Sequence, residues 1–315
     1  MDSEFQSPAM SYWREKMMVE KKNQVAVIGA GPAGCAAAIQ LKRYGLDVIL
    51  IDKEKIGGLA RNANFIENYL GFPRGISGVE FCYTLEEHLK HLEVETVKDE
   101  IINLFWDKSQ DEFVAKSEKN QYNCQYLVIA TGTKPRKLNL KGEEELWKNG
   151  LLFYEPAKML EKLFFNKKIA IIGSGDAAFD YAINLANREN HVTIITRTKD
   201  FSALPLLIER STKNKFITIE SNQIVKEFSA KKEKEEILPI VKTKSKEEIV
   251  VDYILVAVGR DPNHIPSEVK FDKFVKENRV CFVGDLVNNI ERQISISSGQ
   301  GIRCAMKIAK EILNI

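Results

Sequence analysis

The sequence reads Val-Ala-Val-Ile-Gly-Ala-Gly-Pro-Ala-Gly over residues 25–34, and this stretch decides the fold. Four apolar residues lead into Gly29, Gly31 and Gly34, and an Ala-rich stretch follows them. This strand–turn–helix order is typical of a dinucleotide-binding loop. The first glycine allows the tight turn, the second lets the main chain approach a pyrophosphate, and the third lets the helix pack against the strand. The stretch therefore predicts a Rossmann-like unit whose helix N-terminus faces phosphate groups.

A second stretch of the same kind reads Ile-Ala-Ile-Ile-Gly-Ser-Gly-Asp-Ala-Ala over residues 169–178. Its small residues are Gly173, Gly175 and Ala178. One such motif is weak evidence, but two in one chain indicate two bound dinucleotides. The simplest pair is a bound flavin dinucleotide and a diffusing nicotinamide dinucleotide. The two stretches together therefore favour an electron-transfer flavoenzyme.

The bulk composition is that of a globular protein with two domains. The chain has 315 residues, which is enough for two hydrophobic cores. A net charge of +2 gives no reason to expect nucleic acid or a membrane surface as a partner, and no apolar run approaches the ~20 residues that span a bilayer. Five widely spaced cysteines favour free thiols and a cytoplasmic location. They are Cys35, Cys82, Cys124, Cys281 and Cys304.

The second glycine motif lies inside the unit that the first motif starts, and this position predicts a domain insertion. We expect an α/β fold of two Rossmann-like domains, each built from βαβ units in three layers. The first domain is discontinuous and covers residues 23–135 and 259–315, and the inserted domain covers 136–258. Residues 1–22 are polar and lack an apolar signal core, so we interpret them as a flexible N-terminal extension.

The two predicted domains differ at the residues that follow their second strands. Asp52 comes about 20 residues after Gly29, the offset at which a carboxylate meets a ribose 2′-hydroxyl. The corresponding segment of the inserted domain carries no acid at its strand end and instead has Arg197 and Lys199. Basic side chains at this place accommodate a 2′-phosphate, so the inserted domain is predicted to prefer NADPH over NADH.

Further short motifs resemble those of the low-molecular-weight thioredoxin reductase family of flavoproteins. The resemblance extends over residues 24–315 and implies FAD in the discontinuous domain and NAD(P)H in the inserted one. It also implies a homodimer and a rotation between the two domains. The motifs are Gly57-Gly58-Leu59, Ile-Glu-Asn-Tyr-Leu-Gly-Phe-Pro at 66–73, Ala130-Thr131-Gly132, Val283-Gly284-Asp285 and Arg292-Gln293.

The resemblance also implies which residues contact each cofactor. Arg197 matches the first arginine of the family's NADPH-binding segment, whereas Thr198 and Ser202 stand where further arginines are usual. The residues implied for FAD are Gly29, Gly31, Pro32, Ala33, Gly34, Asp52, Lys53, Gly58, Leu59, Asn68, Thr131, Gly132, Gly284, Asp285, Arg292, Gln293 and Ile294. The residues implied for NAD(P)H are Gly173, Ser174, Gly175, Asp176, Ala177, Arg197, Thr198, Lys199, Gly259 and Arg260.

The chain departs from thioredoxin reductases at the redox centre. That family carries a redox-active CxxC shortly before the second glycine motif, but residues 150–156 here read Gly-Leu-Leu-Phe-Tyr-Glu-Pro and the sequence contains no CxxC. Thioredoxin-reductase-like ferredoxin/flavodoxin–NADP⁺ reductases also lack the dicysteine and carry aromatic residues at this place, as Phe153 and Tyr154 do here. Glu155 is interpreted as a solvated loop residue. The four histidines form no metal-binding pattern, so no metal site is predicted.

Three functional hypotheses follow. The leading one is an FAD-dependent NAD(P)H oxidoreductase that passes electrons from the flavin directly to a ferredoxin, a flavodoxin or a small molecule. The second is a flavin- and nucleotide-binding regulatory or assembly subunit with little turnover. The third is an atypical thiol reductase that uses Cys35 or Cys304. No catalytic acid or base is nominated, because hydride transfer between nicotinamide C4 and flavin N5 requires none.

Overall fold

The computed structural model describes residues 19–161, 165–233, 236–245 and 248–315. Two short 3-10 helices cover Gly58–Asn62 and Gly284–Leu286. The α-helices are α1 Pro32–Arg43, α2 Gly78–His91, α3 Glu143–Lys148, α4 Pro156–Leu160, α5 Asp176–Ala186, α6 Pro205–Lys213, α7 Asp272–Lys276 and α8 Ile294–Leu313. The strands are β1 Val19–Ile28, β2 Val48–Asp52, β3 Glu95–Lys98, β4 Asn103–Asp107, β5 Glu112–Lys116, β6 Asn120–Ile129, β7 Thr133–Pro135, β8 Leu152–Phe153, β9 Lys168–Ile172, β10 His191–Ile195, β11 Ile217–Glu220, β12 Val225–Glu233, β13 Glu236–Thr243, β14 Glu248–Val250, β15 Tyr253–Val256, β16 Arg260–Pro262 and β17 Val280–Phe282.

Part of the expected N-terminal extension is strand. Residues 1–18 of that extension lie outside the described residues. Strand β1 begins at Val19 rather than after residue 22, because the main chain of residues 19–22 pairs in parallel with residues 120–123 of β6. Because β6 is 10 residues long, β1 can pair with it over residues that precede the apolar run 25–28.

The described residues fall into two compact units. The first unit comprises the described residues up to Ala60, together with Phe81–Thr133 and Pro262–Ile315. The second unit comprises Arg61–Glu80 and Lys134–Asp261. The divisions near residues 133 and 262 lie within three residues of the boundaries expected from the sequence. Residues 61–80 differ from the expectation, because they group with the second unit rather than with the first.

Seven strands of the described chain form the sheet of the first unit. Their order is β3-β2-β1-β6-β5-β4, and β17 also pairs with β6. The pairs β1–β2, β1–β6, β2–β3 and β17–β6 are parallel, whereas β4, β5 and β6 form an antiparallel meander. The carboxyl ends of β1, β2, β6 and β17 therefore share one edge of the sheet, which is where open α/β sheets bind ligands.

The period-two alternation of β1 builds the layers of the first unit. Val25 and Val27 pack in one core cluster with residues of α1 and α8, and Ala26 packs in a second cluster with the β4–β5 hairpin and α7. The main chains of α1 and α8 are in close contact, since a Cβ on Gly301 would lie 2.1 Å from the carbonyl oxygen of Ala33. The predicted three-layer arrangement thus places α1 and α8 together on one face of the sheet.

The second unit is built around a parallel sheet of its own. Five of the described strands form it in the order β11-β10-β9-β15-β8, and β12, β13 and β14 form a separate antiparallel sheet. Ile169 and Ile171 of β9 pack with residues of α5, while Ile172 packs in another cluster with Phe228 and Val241 of the antiparallel sheet. None of the helices that the structure describes is long and apolar enough to cross a bilayer.

Candidate nucleotide-binding and redox sites

The loop after β1 is closed on its strand side and open at its second glycine. Gly29 has φ of +104°, and its N–H donates to the carbonyl oxygen of Ile51 at 2.8 Å. A Cβ on Gly29 would lie 2.3 Å from the carbonyl oxygen of Ala130, and one on Gly34 would lie 1.8 Å from that of Gly29. A Cβ on Gly31 would instead have no atom within 4 Å. This open approach to the main chain fits a pyrophosphate at Gly31.

The same loop leads into α1 and is contacted by a second glycine turn, Gly57–Gly58. Gly31 is the N-cap of α1 and Pro32 its first residue, and no side chain of the described residues caps this N-terminus. The N–H of Gly57 donates to the carbonyl oxygen of Ala30 at 2.8 Å, and a Cβ on Gly58 would lie 3.1 Å from the Cα of Gly31. The helix dipole and the two glycine segments therefore converge at one point, which suits an anionic group.

The carboxyl end of β2 carries the predicted ribose acid. Asp52 Oδ2 accepts a hydrogen bond from the N–H of Ala30 at 2.5 Å, and Oδ1 accepts one from the N–H of Glu54 at 2.8 Å. The carboxylate is thus fixed beside the glycine loop, as a ribose ligand requires. Lys53 is directed elsewhere, because its Nζ forms a surface ion pair with Glu100 at 3.2 Å.

The end of β17 is held between α1 and α8. The N–H of Gly284 donates to Gln300 Oε1 at 2.8 Å, and the hydroxyl of Ser297 donates to Asp285 Oδ1 at 3.0 Å. A Cβ on Gly284 would lie 2.8 Å from that of Ala33 at the start of α1. Sequence reasoning missed Ser297 and Gln300, although their spacing of three residues on the terminal helix was a usable signal.

Four of the remaining residues predicted to contact FAD are Thr131 and Gly132 after β6, Leu59 in a 3-10 helix, and Asn68. Thr131 Oγ1 donates to the carbonyl oxygen of Asn263 at 2.6 Å, and the N–H of Asn263 donates to that of Gly132 at 2.9 Å. Asn263 was also missed. Leu59 is half-buried in the first unit, whereas Asn68 groups with the second unit.

The start of α8 completes this edge of the first unit. Gln293 is the N-cap of α8 and Ile294 its first residue, with no side-chain cap among the described residues. Arg292 Nε donates to the carbonyl oxygen of Asn288 at 3.2 Å. An open glycine cradle, a fixed carboxylate and two uncapped helix N-termini fit FAD. The first-unit residues that would hold it are Gly29, Gly31, Pro32, Ala33, Gly34, Asp52, Gly58, Leu59, Thr131, Gly132, Gly284, Asp285, Arg292, Gln293 and Ile294.

The loop after β9 repeats the first loop in the second unit. Gly173 has φ of +155°, its N–H donates to Ile195 at 3.2 Å, and a Cβ on it would lie 2.4 Å from the carbonyl oxygen of Ala257. A Cβ on Gly175 would meet only Ser202 Oγ, at 3.5 Å. The buried Ala178 occupies the third position without a main-chain clash. The main chain is again open at the second glycine.

A neighbouring segment is tied to this loop. The N–H of Ser202 donates to the carbonyl oxygen of Ser174 at 2.9 Å, and the N–H of Leu204 donates to Asp176 Oδ1 at 2.7 Å. Ala177 is exposed in the first turn of α5. Asp176 therefore positions the 202–204 segment beside the predicted pyrophosphate site.

The four residues that follow β10 in the second unit, 196–199, include no acid. Thr196 is buried, and its hydroxyl donates to the carbonyl oxygen of Thr198 at 2.7 Å. Arg197, Thr198 and Lys199 are exposed, and the Thr198 hydroxyl donates to the carbonyl oxygen of Asp200 at 3.1 Å. The buried threonine shapes a turn that presents two basic side chains to solvent, which fits a 2′-phosphate.

Arg260 lies in an ion pair. Its Nη2 is 2.9 Å from Glu155 Oε1, and both side chains are only 17% exposed. The interpretation of Glu155 as a solvated loop residue was therefore wrong, since Arg260 shields it from water. Gly259, with φ of +108°, accepts a hydrogen bond from the N–H of Arg136 at 3.0 Å.

The aromatic residues at the place of the family's dithiol are part of the core. Phe153 and Tyr154 are each 9% exposed. The Tyr154 hydroxyl donates to Glu143 Oε1 at 2.8 Å, and burial together with this carboxylate raises the pKa of Tyr154. Glu143 also accepts hydrogen bonds from the N–H groups of Leu138 and Leu140. These aromatic side chains therefore stabilise the second unit from within.

The structure holds all five cysteines as free thiols. Cys35 donates to the carbonyl oxygen of Ala30 at 3.2 Å, and burial raises the pKa of its thiol. Burial also raises the pKa of Cys124 to about 12. Neither thiol is suited to nucleophilic attack at neutral pH. Among the described residues, no group of three or more potential metal ligands is assembled.

Comparison with known proteins identifies the family of this chain. The chain matches the pyridine nucleotide-disulphide oxidoreductase family over residues 23–280. It is 29% identical over 314 residues to a thioredoxin reductase of Buchnera aphidicola subsp. Schizaphis graminum, covering 92% of this chain and 97% of the relative. It is 28% identical over 312 residues to the 34.2 kDa protein in the rubredoxin operon of Clostridium pasteurianum, covering 94% and 99%.

The structural comparison extends over almost the whole chain. The crystal structure of Lactococcus lactis thioredoxin reductase matches with a TM-score of 0.78 and 26% identity, covering 93% of this chain and 100% of the other. This match confirms the predicted α/β fold with two Rossmann-like domains. Thioredoxin-reductase-like proteins are NAD(P)H oxidoreductases that use FAD and NADPH, as predicted for this chain. The chain belongs to the pyridine nucleotide-disulphide oxidoreductase family.

Proposed function

We propose that this chain is a homodimeric, FAD-containing NADPH oxidoreductase that passes electrons from the flavin directly to an external acceptor. The observation that carries this proposal is that the second unit, residues 61–80 and 134–261, contains no cysteine. The place of the family's dithiol is taken by two buried aromatic residues and by Glu155, which is paired with Arg260. A dithiol relay in this unit therefore has no sulfur to use.

The residues of each unit would bind and orient a cofactor rather than supply a reactive group. FAD, when bound, supplies the N5 position that accepts a hydride from nicotinamide C4. The loop at 29–34 would hold the FAD pyrophosphate and Asp52 the ribose. In the second unit, the loop at 173–178 would hold the nicotinamide dinucleotide, with Arg197 and Lys199 directed to the 2′-phosphate. The positive end of α8 favours negative charge on a group bound beside it.

The proposed acceptor is an electron-carrier protein of the ferredoxin or flavodoxin class. The relative from the rubredoxin operon supports testing rubredoxin as well. Lysines near residue 134 are candidates to receive an acidic carrier. Lys134 is exposed, whereas Lys141 is 3.6 Å from Glu227 and Lys137 lies over the Trp147 ring at 5.1 Å. Docking at Lys134 would make the reaction rate fall as salt concentration rises.

Anaerobic stopped-flow measurement of the purified flavoprotein tests this function. NADPH is expected to bleach the flavin on the timescale of turnover, faster than NADH does. Ferredoxin, flavodoxin, rubredoxin, oxygen, thioredoxin and glutathione disulfide would then be compared as oxidants of the reduced protein. Fast reoxidation by a carrier protein supports the proposal. Absence of bleaching by either nucleotide would instead support a regulatory or assembly subunit.

A thiol reductase is the second candidate. It is favoured by the relatives named as thioredoxin reductases, which cover more than nine tenths of this chain. On this hypothesis a disulfide takes electrons from the reduced flavoprotein through cysteines outside the second unit. Fast reoxidation by thioredoxin or glutathione disulfide, with slow reoxidation by every carrier protein, would replace the leading proposal with this one.

A further inference from the structure

The proposed nucleotide site of the second unit covers only part of its sheet edge. Strands β10, β9, β15 and β8 are neighbours in that order and pair in parallel, so their carboxyl ends share one edge. Arg197 and Lys199 follow β10, and the glycine loop follows β9. A dinucleotide with its 2′-phosphate at the first place and its pyrophosphate at the second would extend towards the ends of β15 and β8. The nicotinamide half is therefore expected there.

The ends of β15 and β8 carry an ion pair. Glu155 lies two residues after β8, and Arg260 lies four residues after β15. Arg260 Nη2 is 2.9 Å from Glu155 Oε1, and both side chains are largely shielded from water. Shielded charges lose hydration even when they are paired, and an apolar contact of similar size is often as stable. Stability is therefore a weak explanation for this pair.

Main-chain contacts hold the pair close to the glycine loop. A Cβ on Gly173 would lie 2.4 Å from the carbonyl oxygen of Ala257, which is three residues before Arg260. Strand β8 pairs in parallel with β15 up to Phe153, two residues before Glu155. The segments that carry the two charged side chains are thus fixed to each other, and one of them contacts the loop proposed for the pyrophosphate.

The pair offers the two functions that a primary carboxamide requires. The carboxamide of a nicotinamide ring accepts hydrogen bonds at its carbonyl oxygen and donates them from its N–H groups. A carboxylate only accepts, and a guanidinium only donates. Glu155 and Arg260 therefore present an acceptor and a donor side by side. A nicotinic acid ring, with a carboxylate in place of the carboxamide, would instead bring a second negative charge to Glu155.

We propose that Glu155 and Arg260 recognise the carboxamide of the nicotinamide ring and determine the specificity for it. The carboxamide N–H donates to Glu155, its carbonyl oxygen accepts from the Arg260 guanidinium, and the bond between the two side chains orients both of them. The pair has no net charge, so it does not repel the positively charged ring of the oxidised nucleotide. This role rests on the NADPH binding proposed for the second unit.

Calorimetric titration of the purified holoprotein with four ligands tests this role. NADP⁺ carries the carboxamide, its 3-acetylpyridine analogue has a methyl group in place of the NH₂, its nicotinic acid analogue carries a carboxylate, and 2′,5′-ADP lacks the ring. The unaltered protein is expected to bind NADP⁺ about tenfold more tightly than either analogue, because each analogue loses a hydrogen bond to a charged group.

Glu155→Gln should change the preference between the ligands. The neutral amide can donate to a carboxylate, so the affinity for the nicotinic acid analogue should rise about tenfold relative to NADP⁺. The affinity for 2′,5′-ADP should stay the same, which shows that the variant is folded and that its phosphate sites are intact. Glu144→Gln is the matched control, because it removes an exposed carboxylate of the same unit that lies 2.8 Å from Lys148. It should bind all four ligands as the unaltered protein does.

Arg260→Lys tests the donor, because it keeps the positive charge but loses the planar fork of N–H groups. It should weaken the binding of NADP⁺ and of the 3-acetylpyridine analogue by the same factor, since both carry the carbonyl oxygen. Glu155→Gln protein that binds 2′,5′-ADP normally but keeps the ligand preference of the unaltered protein would overturn the proposal. If the unaltered protein does not bind 2′,5′-ADP, the NADPH site itself is wrong, and this role fails with it.

Discussion

The glycine loops after β1 and β9 are alike at their first glycine and different beyond it. Gly29 and Gly173 both have positive φ, and both carry a hydrogen bond to the end of the neighbouring strand. In both, a Cβ would collide with a carbonyl oxygen. The third position, however, is Gly34 in one loop and Ala178 in the other. The turn is thus common to both units, whereas helix packing is tighter in the first.

The residues after the second strand separate the units more sharply. Asp52 in the first unit accepts a hydrogen bond from the N–H of its own glycine loop, while the hydroxyl of Thr196 at the matching offset donates to the carbonyl oxygen of Thr198. On the proposed assignment, the first arrangement would present a carboxylate to a ribose hydroxyl, and the second would present exposed basic residues to a phosphate. We therefore propose that the glycine loop of each unit binds a dinucleotide and that the residue at the strand end determines which dinucleotide is bound.

The first helices differ in a third way. Ala36 of α1 stands where α5 carries Asp180, seven residues after each first glycine. Asp180 Oδ2 accepts a hydrogen bond from the N–H of Asn64 at 2.8 Å. Burial, together with the charges of Asp176 and Glu67, raises the pKa of Asp180 to about 6. The helix of the second unit therefore contains an ionisable group that the first helix lacks.

Gly34→Ala is expected to have the largest effect, because its Cβ would lie 1.8 Å from the Gly29 carbonyl oxygen. The first unit should lose about 3 kcal/mol or more of stability and should be isolated without flavin. Thermal unfolding and the flavin-to-protein absorbance ratio check this. Gly31→Ala is the matched control, since its Cβ meets no atom within 4 Å, and it should weaken flavin binding with little change in unfolding temperature. Equal unfolding temperatures for the two variants would contradict the closed third position.

Asp180→Asn is expected to stabilise the protein at neutral pH. The unfolded carboxyl titrates near 3.8 and the folded one near 6, so the folded chain binds the proton more tightly. The stability that this group contributes is complete below pH 3.8 and is lost as the pH rises through 6. The variant, whose amide oxygen can still accept from Asn64, should gain up to about 3 kcal/mol at pH 8.

Urea unfolding at several pH values measures this gain, which should vanish below pH 4. Ala36→Asn at the matching position of α1 is the control, because it removes no ionisable group and should change stability equally at every pH. A gain for Asp180→Asn that is the same at pH 4 and pH 8 would exclude titration as its cause.

Asp52→Asn is expected to weaken flavin binding by about tenfold to a hundredfold, because a charge-assisted hydrogen bond is worth about 1.5–3 kcal/mol. The dissociation constant for FAD, measured by fluorescence with the deflavinated protein, checks this. Thr196→Ala changes the matching residue of the second unit and should leave the affinity for FAD unaltered. Loss of FAD affinity in both variants would mean that the two strand ends do not act separately.

Arg197→Ala should have the smallest effect. Removing one exposed cation from the proposed 2′-phosphate site should lower kcat/KM for NADPH about tenfold, with little change for NADH. The ratio of kcat/KM for the two nucleotides measures it. Lys213→Ala, which removes an exposed lysine paired with Glu209, is the control for a general change of charge. An unaltered ratio in Arg197→Ala would remove this residue from the proposed site.

Local patterns made most of the fold and part of the site predictable. Strand β1, helix α1 and the acid at Asp52 follow from residue spacing over a few dozen positions, because turn geometry and helix packing restrict those residues directly. The pairing of Glu155 with Arg260 joins residues 105 positions apart, and the sequence alone suggested an isolated loop acid. Such pairs depend on which strands become neighbours, which spacing does not reveal.

The amino-acid sequence by itself determined that this chain contains two glycine motifs, each after an apolar run, and no CxxC. It did so because glycine positions and apolar runs act through local sterics. Only the tertiary structure decided that residues 61–80 group with the second unit and that Phe153 and Tyr154 are buried. These outcomes depend on the packing of distant segments against one another, where burial and neighbouring charge change the chemistry of a side chain.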